Sequence, residues 1–490
     1  MDTVDYEVAC LEQLEDETFY TEIPTDPNPS YSKQLKQEMS QLHLDDLITD
    51  SELSMLTQDC KSPAFYGLPK IHSVKPNDTF PPLRPICSGS QSCTKRLSEL
   101  VDTFLKPAAQ KLPTYIKDTT DFLRRIREFQ PTNPSEVIIA TLDVNSLYPN
   151  INQEEGAQAC FEFLELRNNK SFPSLVVKRL ILLVLQCNTL MFRNRFFHQT
   201  SGTAMGTPMA VNFANLFMGK FENEMLDAYE KQFKNRPAMW LRFIDDIFVV
   251  WEGNINDLNT FIAFVNKYAV NNNFASRITF KHAVSKSSVN FLDTKVLVQP
   301  DGTLATTLFN KPTASHNYLQ RNSYHVSHAK NSLPKSQFIR IRRICSTLAD
   351  YDHHAKKFVD HFVHRRYNRK IVQQQSDAVR AMSRESLLDY KVHQEQPRNT
   401  PLVITYHHKF IGIGRVLLDC FRNASDRDAN FRKVFPEAPF VAYRRTKNIR
   451  DKLVRAKHYR TPGPSNNQQR QATPTKSIIE RQMNHSGGNH

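Results

Sequence analysis

Three aspartates stand out because each interrupts an apolar run. Asp143 follows the β-branched stretch VIIATL at 137–142, and Asp245 and Asp246 divide WLRFIDDIFVVW about a hundred residues later. Carboxylates in such surroundings are costly unless their charge is compensated. A salt bridge could do this, but the sequence beside the pair offers only Arg242. Two hard divalent cations suit the task better, because magnesium takes a few carboxylates and completes its shell with water and phosphate oxygens. Ions roughly 3.5–4 Å apart would activate an attacking hydroxyl and steady a departing pyrophosphate. The chemistry implied is nucleotidyl transfer.

For these carboxylates to meet, strands must run side by side. VIIATL reads as a buried strand entering Asp143, and WLRFIDDIFVVW as a hairpin with both carboxylates at its tip. Several helices should fill 153–190, and Pro208 sits as a first-turn proline ahead of the packed helix MAVNFANLFMGKFENEML. Upstream, 62–85 suggests a hairpin, and Leu97, Leu100, Val101, Phe104 and Leu105 recur at helical spacing until Pro107. From Lys330 onward the pattern is helical and dense in Arg, Lys and His.

Charge is unevenly distributed. Residues 1–60 hold 15 Asp and Glu against Lys33 and Lys36, so a chain of net charge +14 carries +27 on its other 430 residues. A body this basic suits a polyanion, since each phosphate it neutralises releases counterions. The acidic leader reads as a surface or partly disordered arm, and the polar stretch 461–490 as a disordered tail. The longest apolar run, Leu180 to Leu185, is far below the roughly 20 residues that cross a bilayer. The first residues, MDTVDYEVACLEQLEDE, lack the basic and apolar parts of a secretory leader, so residence in nucleus or cytoplasm is expected. Eight cysteines form no CxxC pair and read as reduced thiols.

At these residues the chain resembles reverse transcriptases, and among them the Penelope-like retroelements of animals. TLDVNSLYPNI (141–151) is similar to the first catalytic motif of that family, SGTAMGTPMAVNFANLFM (201–218) to its Gly-Pro motif beside the nascent base pair, and LRFIDDIFVVW to its catalytic hairpin. FYGLPKIH (65–72) and PLRPI (82–86) resemble the fingers hairpin, NFLDTKV (290–296) the strand after the palm core. YLQRNSYHVSHAKNSLPKSQFIRIRRICS (318–346) and APFVAYRRTKNIRDKLVRA (438–456) resemble the basic thumb. The similarity runs in order over about four fifths of the chain. It implies an α+β right-hand polymerase, with fingers, a palm on an antiparallel sheet and a helical thumb. Its expected divisions are an acidic extension over 1–60, fingers over 61–140 and palm over 141–300 with a helical insertion at about 153–200. Basic thumb and connection follow over 301–460.

The resemblance also implies roles. Asp143, Asp245 and Asp246 would be catalytic and hold two Mg2+ ions, or Mn2+ in their place, with the Val144 carbonyl as a further ligand. Tyr148 would be the steric gate against a ribose 2′-hydroxyl. Lys70 and Arg84 would clasp the deoxynucleoside triphosphate, and Gly202, Gly206 and Pro208 would let backbone approach it. Phe243 and Ile244 would lie by the primer end, and Lys281 or Lys286 would protonate pyrophosphate. Lys330, Lys335, Arg340, Arg342 and Arg343, interleaved with apolar residues, describe a helix with a cationic face for primer and template, with Pro334 able to start a second helix of a helix-turn-helix. Partners would be an RNA template, a DNA primer or RNA–DNA hybrid, and deoxynucleoside triphosphates, with no membrane.

Cys345, His353, His354, His361 and His364 fit no familiar zinc spacing and read as histidines on a nucleic-acid-binding helix. Many Penelope-like proteins continue into a GIY-YIG endonuclease, which the thirty or so polar residues after Lys457 cannot hold, and no RNase H pattern is evident. Two rival readings stand beside the polymerase. One is an RNA-dependent RNA polymerase, disfavoured by Tyr148; the other is a retroelement-derived, catalytically silent nucleic-acid-binding protein, disfavoured by the three intact aspartates.

Overall fold

The computed structural model describes residues 2–57, 60–71, 74, 79–389, 400–410 and 412–449. The tail expected over 461–490 lies outside the described residues, as do His72 of the FYGLPKIH motif and the end of the second basic motif.

The acidic leader is folded, which corrects the expectation of an arm. It forms α1 (Thr3–Leu14), β1 (Tyr20–Ile23), α2 (Asn28–Leu44) and α3 (Asp50–Leu56). Its charges mask an apolar stripe: Cys10, Leu14, Leu35, Met39 and Leu42 are buried, while the acids face water or pair with cations such as Arg179, Arg193 and Arg195. The hairpin β2 (Ala64–Pro69) and β3 (Leu83–Ser88) comes next, and then α4 (Lys95–Ala109) and α5 (Thr119–Glu128). α4 runs through Pro107 rather than ending there, because a proline in the last turn forfeits only one helical hydrogen bond.

β4 (Val137–Val144) leads through the short α6 (Leu147–Asn150) to α7 (Gln153–Glu165) and α8 (Ser174–Gln186). The insertion expected to be helical to about 200 ends instead in a hairpin, β5 (Thr189–Phe192) and β6 (Arg195–Gln199), with Arg193 and Asn194 both at positive φ in its turn. α9 (Ala210–Phe233) starts after Met209, so Pro208 stands in the preceding turn and not in the first helical turn. Then follow β7 (Met239–Phe243), β8 (Asp246–Glu252), α10 (Ile255–Asn271), β9 (Phe280–Ser285), β10 (Ser288–Phe291), β11 (Thr294–Val298) and β12 (Leu304–Leu308). α11 (Ser327–Ile344), α12 (Leu348–His364), α13 (Arg369–Arg380) and α14 (Arg384–Leu388) precede β13 (Pro401–Thr405), α15 (Ile413–Arg427), α16 (Ala429–Val434) and β14 (Phe440–Arg444).

Among the described residues four sheets result, with orders β1-β6-β5-β2-β3, β7-β8-β4-β9, β10-β11-β12 and β13-β14. The second is antiparallel throughout, and its central strands β4 and β8 are buried on both faces. Ile138, Ala140, Leu142, Ile247, Val249 and Trp251 alternate into a core shared with α4, α8, α9 and α10. Val137, Ile139, Phe248 and Val250 point the other way, into a core shared with α5, the β10-β11-β12 sheet and α11 to α13. That two-sided burial explains why the strands read as continuous apolar runs rather than alternating ones. A third core joins α1 to the outer sheet through Cys10, Tyr20, Phe65, Leu83 and Phe197.

Candidate active site

The carboxylates meet where β4 and β8 pair. Asp143 and Asp246 are direct cross-strand partners, and Phe243 pairs with Asp246 across the β7–β8 turn. The turn itself consists of Ile244 and Asp245, so only Asp245 lies at the tip and Asp246 opens β8. Ile244 adopts φ 59, which a β-branched residue rarely tolerates and which a two-residue hairpin demands of its first turn position. The Val144 amide donates to the Asp245 carbonyl at 3.0 Å, locking the turn to the end of β4.

What imposes that strain lies beneath. Arg242 and Glu222 are both 0% exposed and joined at 2.7 Å. Glu222 also accepts from Trp240 Nε1 at 2.9 Å and from Thr114 Oγ1 at 2.7 Å. Arg242 Nη1 donates to Asn215 Oδ1 at 2.7 Å and to the Ile244 carbonyl at 3.2 Å, while Nη2 reaches the Asn215 carbonyl at 3.1 Å. The one cation that the sequence placed beside the aspartates is therefore committed to α9, and it holds the turn by its backbone instead of neutralising the carboxylates.

Those carboxylates repel one another. Burial first, then Asp245 and Asp143, push Asp246 up to about 6, with Lys311 opposing. Asp143 is raised by burial and then by Asp245, against the pull of Lys281 and Lys70. Lys281 is the cross-strand partner of Asp143 on β9, whereas Lys286 lies in the turn beyond that strand. Nothing in the sequence marked Lys311, because it follows β12 and reaches the site only through the fold. Among the described residues no group of three or more His, Cys, Asp or Glu side chains is gathered as a metal cage. The donor set nevertheless fits a magnesium-type ion, being all carboxylate, mutually repelling and open for water and phosphate oxygens.

Tyr148 lies in α6, packed against the larger core; burial and then the charge of Asp245 push its hydroxyl up to about 12. The glycines lie against the protein's own backbone. A Cβ on Gly202 would fall 2.1 Å from the Tyr148 carbonyl, and one on Gly206 2.1 Å from that of Cys87. Both have positive φ, and the Thr203 amide donates to the Tyr148 carbonyl while that of Cys87 donates to Met205. The loop ahead of α9 therefore ties Tyr148 to β3, with glycine needed for approach to the protein's own backbone. Lys70 is fixed at the end of β2 by its amide, which donates to Pro82, and Arg84 stands exposed on β3 opposite Leu68.

The cationic face expected on α11 is not there. Arg340 pairs with Asp293 at 2.6 Å, Arg343 donates to the Leu387 carbonyl, and Lys330 caps the Ser323 carbonyl. Arg342 is buried; Lys335 alone of the five is exposed. Apolar residues at 338, 341 and 344 turn that side of the helix into the core and carry the arginines among them inward. Pro334 is likewise inside a single continuous helix rather than at the start of a second one. Of the histidines near Cys345, His354 contacts Thr307 Oγ1 at 3.1 Å and His361 stacks on His316 at 4.3 Å.

Residues 76–295 match the family model for reverse transcriptase (RNA-dependent DNA polymerase), and residues 317–377 that for the animal helix-turn-helix domain. Among curated proteins none matches the chain. Solved structures similar to it include telomerase from Candida albicans with a fragment of telomeric RNA, at 10% identity and a TM-score of 0.48 over 88% of this chain and 63% of that one. Apo telomerase from Candida tropicalis is similar at 11% identity and a TM-score of 0.38, over 50% of this chain and 55% of its own. The RNA-dependent RNA polymerase of a human picobirnavirus is similar at 11% identity and 0.44, over 73% and 75%. The chain thus spans a little over half to under two thirds of those two telomerase chains.

Proposed function

We propose that this α+β chain, whose residues 76–295 form a reverse transcriptase domain, is a right-hand RNA-directed DNA polymerase of a Penelope-like retroelement. The observation that carries the reading is the cross-strand pairing of Asp143 with Asp246, with Asp245 beside them in a strained turn. Reverse transcriptase domains depend on divalent metal. Two Mg2+ ions held by Asp143, Asp245, Asp246 and the Val144 carbonyl would supply Lewis-acid stabilisation of the attacking and leaving oxygens.

The chain's own residues do the rest. Lys70 and Lys281 bring positive charge to Asp143, where the triphosphate must lie, and so favour a polyanion there. Tyr148, fixed from behind by the Gly202 loop, places its ring beside Asp245 and excludes a ribose 2′-hydroxyl. Phe243 and Ile244 form the step on which a primer end rests. Lys335 is the remaining cation of α11 available to a hybrid backbone, within a thumb running from 301. Among the described residues no helix is long and apolar enough to cross a membrane. A location in nucleus or cytoplasm fits this role.

The test is primer extension on matched RNA and DNA templates with deoxynucleotides or ribonucleotides. RNA-templated deoxynucleotide addition is expected. Ribonucleotide addition alone would assign an RNA polymerase, and binding without any addition a silent nucleic-acid-binding protein.

A further inference from the structure

Away from the carboxylates, one surface is made of rings. Tyr324, just ahead of α11, lies 5.4 Å from Tyr406 and 5.5 Å from His408, centroid to centroid, although some eighty residues separate them in sequence. His407 and His408 stack at 4.8 Å with 26° between their planes, and Phe410 lies 5.1 Å from His407. The Tyr324 hydroxyl accepts from the His408 amide at 3.1 Å and contacts its Nδ1 at 3.1 Å, which fixes both rings.

Ring clusters normally form cores. Here Tyr324 remains 44% exposed and Phe410 57%. No residue of β13 or β14 is buried, and Gly414 is the only buried residue of α15. Several large rings left in water at one place mark a binding surface rather than scattered exposure. Its rings have polar tips and cations beside them: Lys409 lies between His408 and Phe410, and exposed Arg444 receives the Tyr406 amide at its carbonyl. Residues 400–446 hold eight Lys and Arg against four Asp and Glu. Aliphatic protein interfaces have no need of such an excess of one sign, whereas a polyphosphate backbone does.

We propose that Tyr324, His407, His408 and Phe410 form a stacking platform for an unpaired polynucleotide, with Lys409 and Arg444 on its phosphates. Only unpaired bases present free π-faces, so single strands are bound and duplex is not. The platform joins the segment before α11 to the β13-β14 sheet and is preorganised by the Tyr324–His408 contacts. It goes beyond the polymerase reading and holds whether or not the three aspartates catalyse.

The full chain is titrated with fluorescent oligouridine and oligothymidine on the order of 12 nucleotides, within the site sizes of single-strand binders. Tyr324→Leu combined with Phe410→Leu keeps apolar volume and removes two π-faces; affinity should fall on the order of tenfold or more. Extension of a primer preannealed to a template that overhangs it by only a few nucleotides, too short to reach the platform, should stay unchanged, which separates this loss from failure of the catalytic assignment. Lys409→Gln should lower the slope of log affinity against log salt by about 0.7. Preference for the uridine oligomer would identify RNA as the strand held, and equal affinity base stacking alone. Unchanged oligonucleotide affinity in the double variant overturns the proposal, as does unchanged affinity with a fall in solution mass, which would assign the surface to a second copy. Should the variant not fold, photocrosslinking of 5-iodouracil oligomers to the unaltered chain decides. Adducts at Tyr324, His408 or Phe410 are expected, and adducts exclusively elsewhere overturn it.

Discussion

Replacing Arg242 with methionine separates stability from positioning at the carboxylate site. Arg242 and Glu222 are fully buried, and the guanidinium makes three further contacts, two to Asn215 and one to the Ile244 carbonyl. Removing one partner of a buried pair leaves an uncompensated charge and destabilises by about 3–5 kcal/mol, whereas apolar replacement of both is often neutral. Arg242→Met alone should therefore lower the melting temperature markedly, and Arg242→Met with Glu222→Leu should restore much of it. Extension should not recover, because the contact that holds Ile244 at φ 59 is still missing and Asp245 is free to leave its place beside Asp143. Thermal melting and single-turnover primer extension over a magnesium series read the two effects apart. The double variant should need more magnesium for half-maximal rate. If it regains both stability and ordinary magnesium dependence, Arg242 serves packing alone; if Arg242→Met melts like the unaltered protein, the buried-pair argument fails.

Tyr148→Ala should admit ribonucleotides during extension, and unchanged sugar selectivity would remove the gate. Gly206→Ala should destabilise by about 1–3 kcal/mol from its backbone conformation alone, and more because the new Cβ would meet the Cys87 carbonyl at 2.1 Å; melting without change would contradict this. Asp246 titrates near 6 when folded, above the roughly 3.9 of an unfolded aspartate. The native state then holds more protons between those values, so metal-free stability should fall as pH rises from about 4 to about 6 and level off above. Magnesium should add stability mainly above that window, and Asp246→Asn should flatten the slope in urea midpoints measured across it.

The parts of the site legible in the sequence were those encoded locally. VIIATLD and FIDDIFVVW carry strand pattern and carboxylate together, and the β4–β8 pairing follows from burying both. Residues whose role depends on tertiary partners were harder to read. The acids of α1 and α2 suggested disorder because net charge hides a stripe that buries Cys10, Leu14, Leu35 and Met39. Arg340 and Arg342 looked like a cationic face because an arginine paired with Asp293 and an arginine in the core have the same letter as one in water. Gly202 and Gly206 lie against the protein's own backbone at Tyr148 and Cys87, contacts between segments far apart in the chain that no local pattern encodes.

The central claim is that Asp143 on β4 and Asp245 in the β7–β8 turn act as one unit, and a double-mutant cycle on the single-turnover extension rate tests it most directly. Residues that act together lose activity non-additively. Asp143→Asn, Asp245→Asn and the double variant should all bind hybrid yet extend at the same negligible rate. Losses that multiply from one variant to the next, or a single variant that still extends normally, would contradict the account.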